Sequence, residues 1–553
     1  MKVLYIYRHP DMGYSIGKVF KPVEEEMKKY AEVDSVYLPV PNYSPKGLWM
    51  NIRAAIKAVS RKHYDIVHIT GAEHYLIPFL PKDRLVVTVH DLGFCKILER
   101  KMTYAIKYYL FVSSLKKARF VTFISEKSEK EAADYVRLKN GRFKTVLNAV
   151  GKEFVYSPKD FNEKKPVVLH IGTKEHKNLD RSIEALHDIP CVLRIIGQVS
   201  DQQKARMAEL GVEYSIGCNL TDEQLKEEYV KADIVNFPSL YEGFGMPIIE
   251  GQATGRIVIT SNLEPMRTIA GDGALMVDPT NVEDIHNAYL RAMEKDIRTA
   301  VIDKGLENVK RFQLENIAYQ FYSLYLTIAS GGGTIKNALL LLLPWSVRRR
   351  VLNRYYHYDI HPKAHIGLAY VYPKYLKMDE GASIGHFSVA VNLDRMVLGR
   401  NVHIGRSNWI TGFPTMTDSK HFAHDYERRS ELIIGDESAI TKHHHIDCTN
   451  MIHIGHHVTI AGYYSQILTH SIDVYEGRQD SHPVSIGDYC FVSTGVKVLG
   501  GASLPDHSVL AAGAVLNKLQ QEPYTLYGGV PAKRIKDIPK DANYMNREKG
   551  FVY

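Results

Sequence analysis

Two glutamates eight positions apart, Glu242 and Glu250, stand in the segment FPSLYEGFGMPIIEGQATG at 237–255. The run ADIVNFP that leads into it reads as a strand, and Gly243 and Gly245 make a turn into a helix beginning near Met246 or Pro247. In open α/β sheets ligands sit beyond the carboxyl ends of strands, and a helix N-terminus offers unpaired N–H groups to a phosphate. The spacing puts Glu242 on the turn and Glu250 about one turn into the helix, facing one crevice suited to a sugar diphosphate. Lys177, in HIGTKEHKNL after the strand VVLHIG, adds a cation where charge would build on a leaving diphosphate. His90 and Asp91 close the strand LVVTVH, and Gly13, Ser15 and Gly17 follow the first strand in a loop able to approach phosphates or an acceptor.

This segment resembles the E-x7-E motif of the retaining family-4 glycosyltransferases, and the likeness extends over residues 1–330. It implies a fold of two Rossmann-like lobes, the GT-B fold. In the family the second glutamate bonds the nucleotide ribose, which falls here on Glu250. The first lies near the transferred sugar, here Glu242, and adjoining backbone amides, here Phe244, Gly245 and Met246, hold the phosphates. The family's basic pair at the diphosphate is represented by Lys177, with His176 in place of its neighbour. His90 matches the family's His-Asp dipeptide at the sugar end of the donor. The resemblance also implies retention of configuration, with the leaving phosphate helping to deprotonate the acceptor, and a UDP- or GDP-hexose as donor. No Asp-x-Asp occurs in the chain, so the expectation is transfer without a metal.

A second constellation lies past residue 357, where an aliphatic residue followed by Gly recurs, as in Ile384-Gly385, Ile404-Gly405, Ile434-Gly435 and Ile486-Gly487. The six-residue spacing of Ile434, Ile440 and Ile446 predicts three flat strands per coil of a triangular prism, with aliphatic side chains stacked inside. Two stretches, roughly 412–430 and 471–482, break the repeat and are expected to leave it as loops. The region resembles the left-handed β-helix hexapeptide-repeat O-acetyltransferases, most closely over PVSIGDYCFVSTGVKVLGGASLPDHSVLAAGAVLNK (483–518) and YGGVPAKRI (527–535). Acyl transfer to a hydroxyl needs a base for its proton. The resemblance assigns that role to His470, in ILTHSID, and places acetyl-CoA near Gly495, Ala512 and Gly513, with Lys518 and Lys533 by its phosphates. It also implies a homotrimer. The run His443-His444-His445 does not read as a metal site, because neighbouring side chains in a strand point to opposite faces.

The elements needed to position these groups follow from the pattern. VLYIY (3–7), DIVHIT (65–70), LVVTVH (85–90) and RFVTFIS (119–125) read as buried parallel strands of a first lobe, residues 1–150. VVLHIG (167–172), CVLRIIG (191–197), ADIVNFP (232–238) and RIVIT (256–260) do the same for a second, 151–330, which ends in a long helical pattern from about Val282 to Ile328. Ser330 to Thr334 reads as a flexible linker. Residues 335–356 read as one basic amphipathic helix, either sealing the end of the prism or touching an anionic membrane surface through 335–350. The β-helix domain then spans 357–553.

Composition fits this picture. The 553 residues are 45% apolar and 24% charged, ordinary for globular domains. The net charge of +8 is spread along the chain, which argues against a nucleic-acid binder, since such proteins need a dense basic face. Five scattered cysteines without a CxxC pair read as reduced core thiols. With no apparent signal peptide and no apolar run near the roughly 20 residues of a spanning helix, the expected location is cytoplasmic, with possible contact at the inner membrane face. The combined expectation is a bifunctional enzyme of surface polysaccharide synthesis, such as capsule or O-antigen. It would transfer a hexose to a glycan acceptor, such as a lipid-linked glycan, and O-acetylate that glycan. The alternative makes the β-helix only a trimerisation scaffold.

Overall fold

The apolar runs become central strands, and the strands that the pattern misses lie at sheet edges. The structure, a computed structural model, describes residues 1–12, 14–92, 108–139, 141–329, 334–417 and 419–552. Contacts divide the chain into two units, Met1–Phe321 and Tyr322–Tyr553.

In the first unit, β1 (Lys2–Tyr7), β2 (Glu32–Tyr37), β3 (Ile66–Ile69), β4 (Leu85–Val89), β5 (Phe120–Phe123) and β6 (Phe143–Thr145) form a parallel sheet in the order β2-β1-β3-β4-β5-β6. A second parallel sheet contains β7 (Val167–Ile171), β8 (Val192–Ile196), β9 (Glu213–Gly217), β10 (Ile234–Phe237), β11 (Ile257–Ser261) and β12 (Leu275–Val277), in the order β12-β11-β10-β7-β8-β9. Strand order reverses between β1 and β3 in the first sheet and between β7 and β10 in the second. These are the switch points where doubly wound sheets open a crevice. Central strands such as β3 and β4 are buried at every residue, as helices on both faces require. The unpredicted β2, β6, β9 and β12 are the four edges.

Three expectations change here. The long helical pattern after Val282 is three helices, Val282–Met293, Lys295–Val309 and Leu314–Ala329, broken at the extended residues Glu294 and Gln313. The break lets the middle helix turn against Met246–Ala253, where a side chain on Gly273 would run into the backbone of Gly305. Ser15 and Gly17 belong to the helix Tyr14–Met27 rather than to a phosphate loop, while Gly13 lies outside the described residues. Cys191, Cys448 and Cys490 are buried free thiols, but Cys218 is exposed and only its Sγ is engaged, at 3.2 Å from the Gly197 carbonyl oxygen. Cys95 and the linker residues 330–333 lie outside the described residues.

The second unit sends successive strands to three parallel sheets in rotation. Asp359–Ile360, His365–Ile366 and Tyr370–Tyr372 begin one sheet each, and each later coil as far as Val515–Leu516 adds one strand to every sheet, after which Thr525–Gly528 and the antiparallel Lys533–Asp537 extend only the second. One inward column runs Ile366, Ile384, Ile404, Ile440, Ile460, Val492 and Leu510, none more than 2% exposed. This connectivity is compatible with a triangular parallel β-helix. Along one corner His457, Tyr489, His507 and Tyr524, all at positive φ, stack with centroids 4.5, 5.0 and 4.6 Å apart. Residues 412–417 and 419–430 leave the coils as expected between Trp409–Thr411 and Glu431–Ile434. The second interruption is a β-hairpin instead of a loop, His470–Asp473 pairing antiparallel with Arg478–Ser481.

The predicted helix over 335–356 is two, Thr334–Leu340 and Trp345–Tyr355, because Pro344 supplies no N–H and disfavours helix before it. The second helix seals the first coil. Leu352 joins the aliphatic core of the coils, and the buried Arg348 donates to the carbonyls of Gly367 at 3.1 Å and Ala369 at 2.8 Å. Arg348→Met should therefore leave two coil carbonyls without a charged donor, lowering stability by about 2–4 kcal/mol. Urea unfolding followed through the Trp345 environment measures it.

Candidate active sites

The carboxyl ends of β7 and β10 bring Lys177 and Glu242 together. Lys177 sits on the short turn Glu175–Lys177 after β7, and a backbone bond from Leu240 N to His176 O at 2.8 Å ties that turn to the loop carrying Glu242. Lys177 Nζ donates to Glu242 Oε1 at 2.6 Å and lies 4.7 Å from the Phe237 ring centroid. Both side chains are mostly shielded, at 19% and 14% exposure, so the pair holds a cation at the mouth of the switch point. Lysine has three donors, so Nζ can keep Glu242 and still reach a phosphate oxygen. His176, its predicted neighbour, has its pKa lowered by partial burial.

The glycine turn is set by two close approaches. A Cβ on Gly243 would meet the His90 carbonyl oxygen at 3.2 Å, and Gly245 holds φ at 111° with Ile248 Cδ1 3.0 Å from where its Cβ would be. Among the described residues the N–H groups of Phe244, Gly245 and Met246 make no hydrogen bond, which leaves three donors at the start of Met246–Ala253. The Phe244 side chain is core, packed edge-on to Phe312. Gly245→Ala would force an alanine into left-handed backbone against Ile248. It should cost about 1–2 kcal/mol of stability and remove nucleotide binding, as measured by calorimetric titration with nucleoside diphosphates.

Glu250 does not stand open to the crevice. It is 6% exposed and accepts a hydrogen bond from the buried Tyr229 hydroxyl at 2.5 Å. Burial pushes its carboxyl up to about 7, against the pull of Tyr229 and of Lys18. Lys18, on Tyr14–Met27 of the first lobe, pairs with Asp222 of the second.

The opposite wall comes from the first lobe. His90 follows β4, and its Nε2 donates to Thr70 O at 2.8 Å, which turns Nδ1 the other way. Burial holds its pKa down to about 4, with Arg8 and His74 acting the same way, so the ring is neutral. Three bonds knit His90 to the glutamate loop: Ser128 Oγ to His90 O at 3.0 Å, Ser125 Oγ to Gly243 O at 2.8 Å, and Lys127 Nζ to Glu242 O at 2.8 Å. The predicted His90, Lys177, Glu242 and glycine turn thus converge on one crevice, with Glu250 beneath it.

In the second unit His470 opens the hairpin and its Nδ1 lies 2.6 Å from Asp447 Oδ2. Asp447 also accepts from Thr449 Oγ1 at 2.8 Å and Thr469 N at 3.2 Å. Burial opposes its charge, yet these bonds, His470's first, hold the carboxyl below the usual range. The same bond raises the His470 pKa against partial burial. The ring meets Phe422 edge-on at 6.2 Å, and Arg428, over Phe422, donates to Thr449 O at 2.7 Å. Sequence reasoning missed Asp447, which lies 23 positions from His470 and becomes its neighbour only when adjacent coils stack.

Gly495 and Gly513 lie one above the other at a corner, with φ of 66° and 69° and open space where a Cβ would be. Ala512, Lys518 and Lys533 are exposed. That corner precedes the strands Gln466–Leu468 and Lys497–Leu499, whereas His470 follows the first of them. Gly495, Ala512, Gly513 and Lys533 therefore stand toward one end of that face and His470 toward the other, roughly 15–20 Å apart at about 3.3 Å per residue, whereas Lys518, two residues past Leu516, falls in register on the His470 side. His443, His444 and His445 diverge: His443 is an exposed corner residue at φ 58°, His444 is buried against Thr441 Oγ1 at 3.0 Å, and His445 faces out. One other cluster among the described residues has metal-ligand geometry, the surface trio His187, Asp188 and His286, with candidate atoms within 4.8 Å. It lies outside both sites.

The two doubly wound sheets, each with its switch point, have the architecture of the GT-B fold of glycosyltransferases. Residues 18–154 match Glycosyltransferase Family 4 and residues 152–307 match Glycosyl transferases group 1, so the first unit carries the paired domains of these glycosyltransferases. The chain is 26% identical over 270 residues to O-antigen chain mannosyltransferase B of Escherichia coli, covering 44% of this chain and 70% of that one. It is 25% identical over 248 residues to O-antigen chain mannosyltransferase RfbU of Salmonella typhimurium, covering 43% and 67%. With the longer serotype-specific mannosyltransferase WbdA of Escherichia coli it shares 26% over 246 residues, spanning only 28% of that protein. Among solved structures, sucrose-phosphate synthase from Thermosynechococcus elongatus superposes with a TM-score of 0.52 at 18% identity, over 60% of this chain and 100% of that one, a likeness of fold. No helix among the described residues is long and apolar enough to cross a membrane.

Proposed function

We propose that the first unit transfers a mannosyl residue from a nucleotide sugar, GDP-mannose being the first to test, onto a glycan acceptor of a surface polysaccharide such as O-antigen, with retention and without a metal. The mannosyltransferase names of the relatives support the sugar. The observation that carries the reading is Lys177 paired with Glu242 beside three unspent N–H donors at one switch point. The donors and Lys177 take the diphosphate, and Glu250 takes the ribose hydroxyls. As the bond from the sugar's anomeric carbon to the diphosphate breaks, its electron pair passes to the phosphate oxygen. The acceptor hydroxyl enters from the same side, and its proton goes to that oxygen. Glu242 and His90 orient the sugar. The test is a panel of nucleotide sugars with mass detection of products. Glu250→Gln should keep the fold and raise the donor KM at least about tenfold, the loss of a charge-assisted hydrogen bond. An unchanged donor KM contradicts the reading.

Residues 357–553 of the second unit are proposed to form a left-handed β-helix O-acetyltransferase acting as a homotrimer on the same glycan. Its carrying observation is the His470–Asp447 pair at the foot of the hairpin. The glycan hydroxyl attacks the thioester carbonyl of acetyl-CoA while His470 Nε2 takes the proton, and the departing thiolate takes it back. Acetyl-CoA extends along the prism face from Gly495, Ala512 and Gly513, with Lys533 at its phosphates, to His470. The exposed Leu342, Leu343 and Val347 beside Arg350 support contact with an anionic membrane, where a lipid-linked acceptor would be met. Consumption of acetyl-CoA in the presence of the mannosylated product tests this half.

A further inference from the structure

Glu73 lies on the segment leaving β3, one of the two strands at the first lobe's switch point, and is 1% exposed. Neither of its carboxyl oxygens has a hydrogen-bond donor on any other described residue. Burying such a group without partners is among the least favourable things a fold does, and where it persists a ligand or water normally completes it. Arg8 and Tyr43 both interact electrostatically with Glu73. Arg8, at the carboxyl end of β1, acts electrostatically on both Glu73 and His90, which places the three at one end of the sheet. His90 bonds Thr70 O, three residues before Glu73. Tyr43 stands at the rim, 44% exposed, its ring edge-on to Phe111 at 5.4 Å and Tyr75 at 6.1 Å. Burial pushes the Glu73 carboxyl up to about 7 against the pull of Arg8.

We propose that Glu73 is an acceptor-binding residue: with Arg8 beside it and the Tyr43 ring at its rim, it hydrogen-bonds a hydroxyl of the acceptor sugar and selects which glycan is extended. This rests on the first unit being a glycosyltransferase. A buried carboxyl and an open aromatic edge recognise a pyranose by its hydroxyls and its ring face, whereas the diphosphate is served from the other lobe. Glu73 should therefore matter to the acceptor and not to the donor. It is also a group whose removal should relieve the fold, as is common for binding residues held without partners.

The experiment uses the full chain with Glu73→Gln and Glu73→Ala. Three readouts are taken: GDP and UDP affinity, melting temperature, and binding of and transfer to octyl α-mannoside, octyl α-glucoside and octyl α-galactoside with nucleotide present. The expected result is nucleotide affinity within about twofold of wild type, an equal or higher melting temperature, and glycoside binding and transfer weaker by roughly 10- to 100-fold through KM. Glycoside binding that is unchanged in both variants overturns the inference. So does a joint fall in melting temperature and nucleotide affinity, the mark of a structural role, or a wild type that takes up nucleotide but none of the three glycosides. A wild type that binds no nucleotide and consumes no nucleotide sugar overturns the glycosyltransferase reading itself.

Discussion

Replacing His470 by alanine is expected to lower acetyl transfer by roughly 10²- to 10⁴-fold, the contribution of a positioned general base, while leaving nucleotide-sugar consumption as it was. The geometry makes this more than the loss of one side chain. Asp447 fixes the ring through Nδ1 at 2.6 Å, so the proton acceptor is Nε2. Asp447→Asn should consequently act through the ring's orientation and basicity, lowering the maximal rate less than His470→Ala does. The pH profile gives the sign. A base works when deprotonated, so the rate climbs as pH passes the His470 pKa, which Asp447 raises above the ordinary 6.5. Removing the carboxylate moves that climb to lower pH. A steady-state profile of acetyl-CoA consumption in both variants checks it.

Replacing Lys177 by alanine is expected to lower sugar transfer by roughly 10²- to 10³-fold, as removal of a fixed charge-stabilising group does elsewhere, and to leave acetyl transfer intact. Lys177 is the cation bonded to the Glu242 carboxylate at the switch point, whereas Lys127 is held by the Glu242 carbonyl. The partly shielded Glu242 would lose its partner, so donor binding should weaken further as like charges meet. Glu242→Gln tests that component, since it leaves Lys177 in place with less opposing charge. Its donor KM should change less than that of Lys177→Ala, while its kcat falls.

The motif residues were legible because chain neighbours fix them. Glu242, the glycine turn and Glu250 share one strand-turn-helix, and the strands around them read from unbroken β-branched runs. What escaped notice depended on neighbours distant in sequence. β2, β6, β9 and β12 are edges, half exposed or only three residues long, so no continuous apolar run marks them. Helix breaks at Glu294 and Gln313 answer to packing, not to glycine or proline. Cys218 looks like any scattered cysteine until its strand end proves exposed. Asp447 and Glu73 carry no motif: one needs coil stacking to meet His470, and the other is notable only for the partners that folding withholds from it.

The central claim, two independent transferase sites on one chain, is tested most directly by one reaction. The full protein, Glu250→Gln and His470→Ala are each given nucleotide sugar, glycan acceptor and acetyl-CoA, and products are followed by mass spectrometry. The account predicts a product carrying both hexose and acetyl groups from the wild type. With the donor held below its KM, it predicts at least about tenfold less added hexose, and that alone, in Glu250→Gln, and loss of the acetyl group alone in His470→Ala. A wild type that never acetylates, or two variants that lose both additions together, would contradict it.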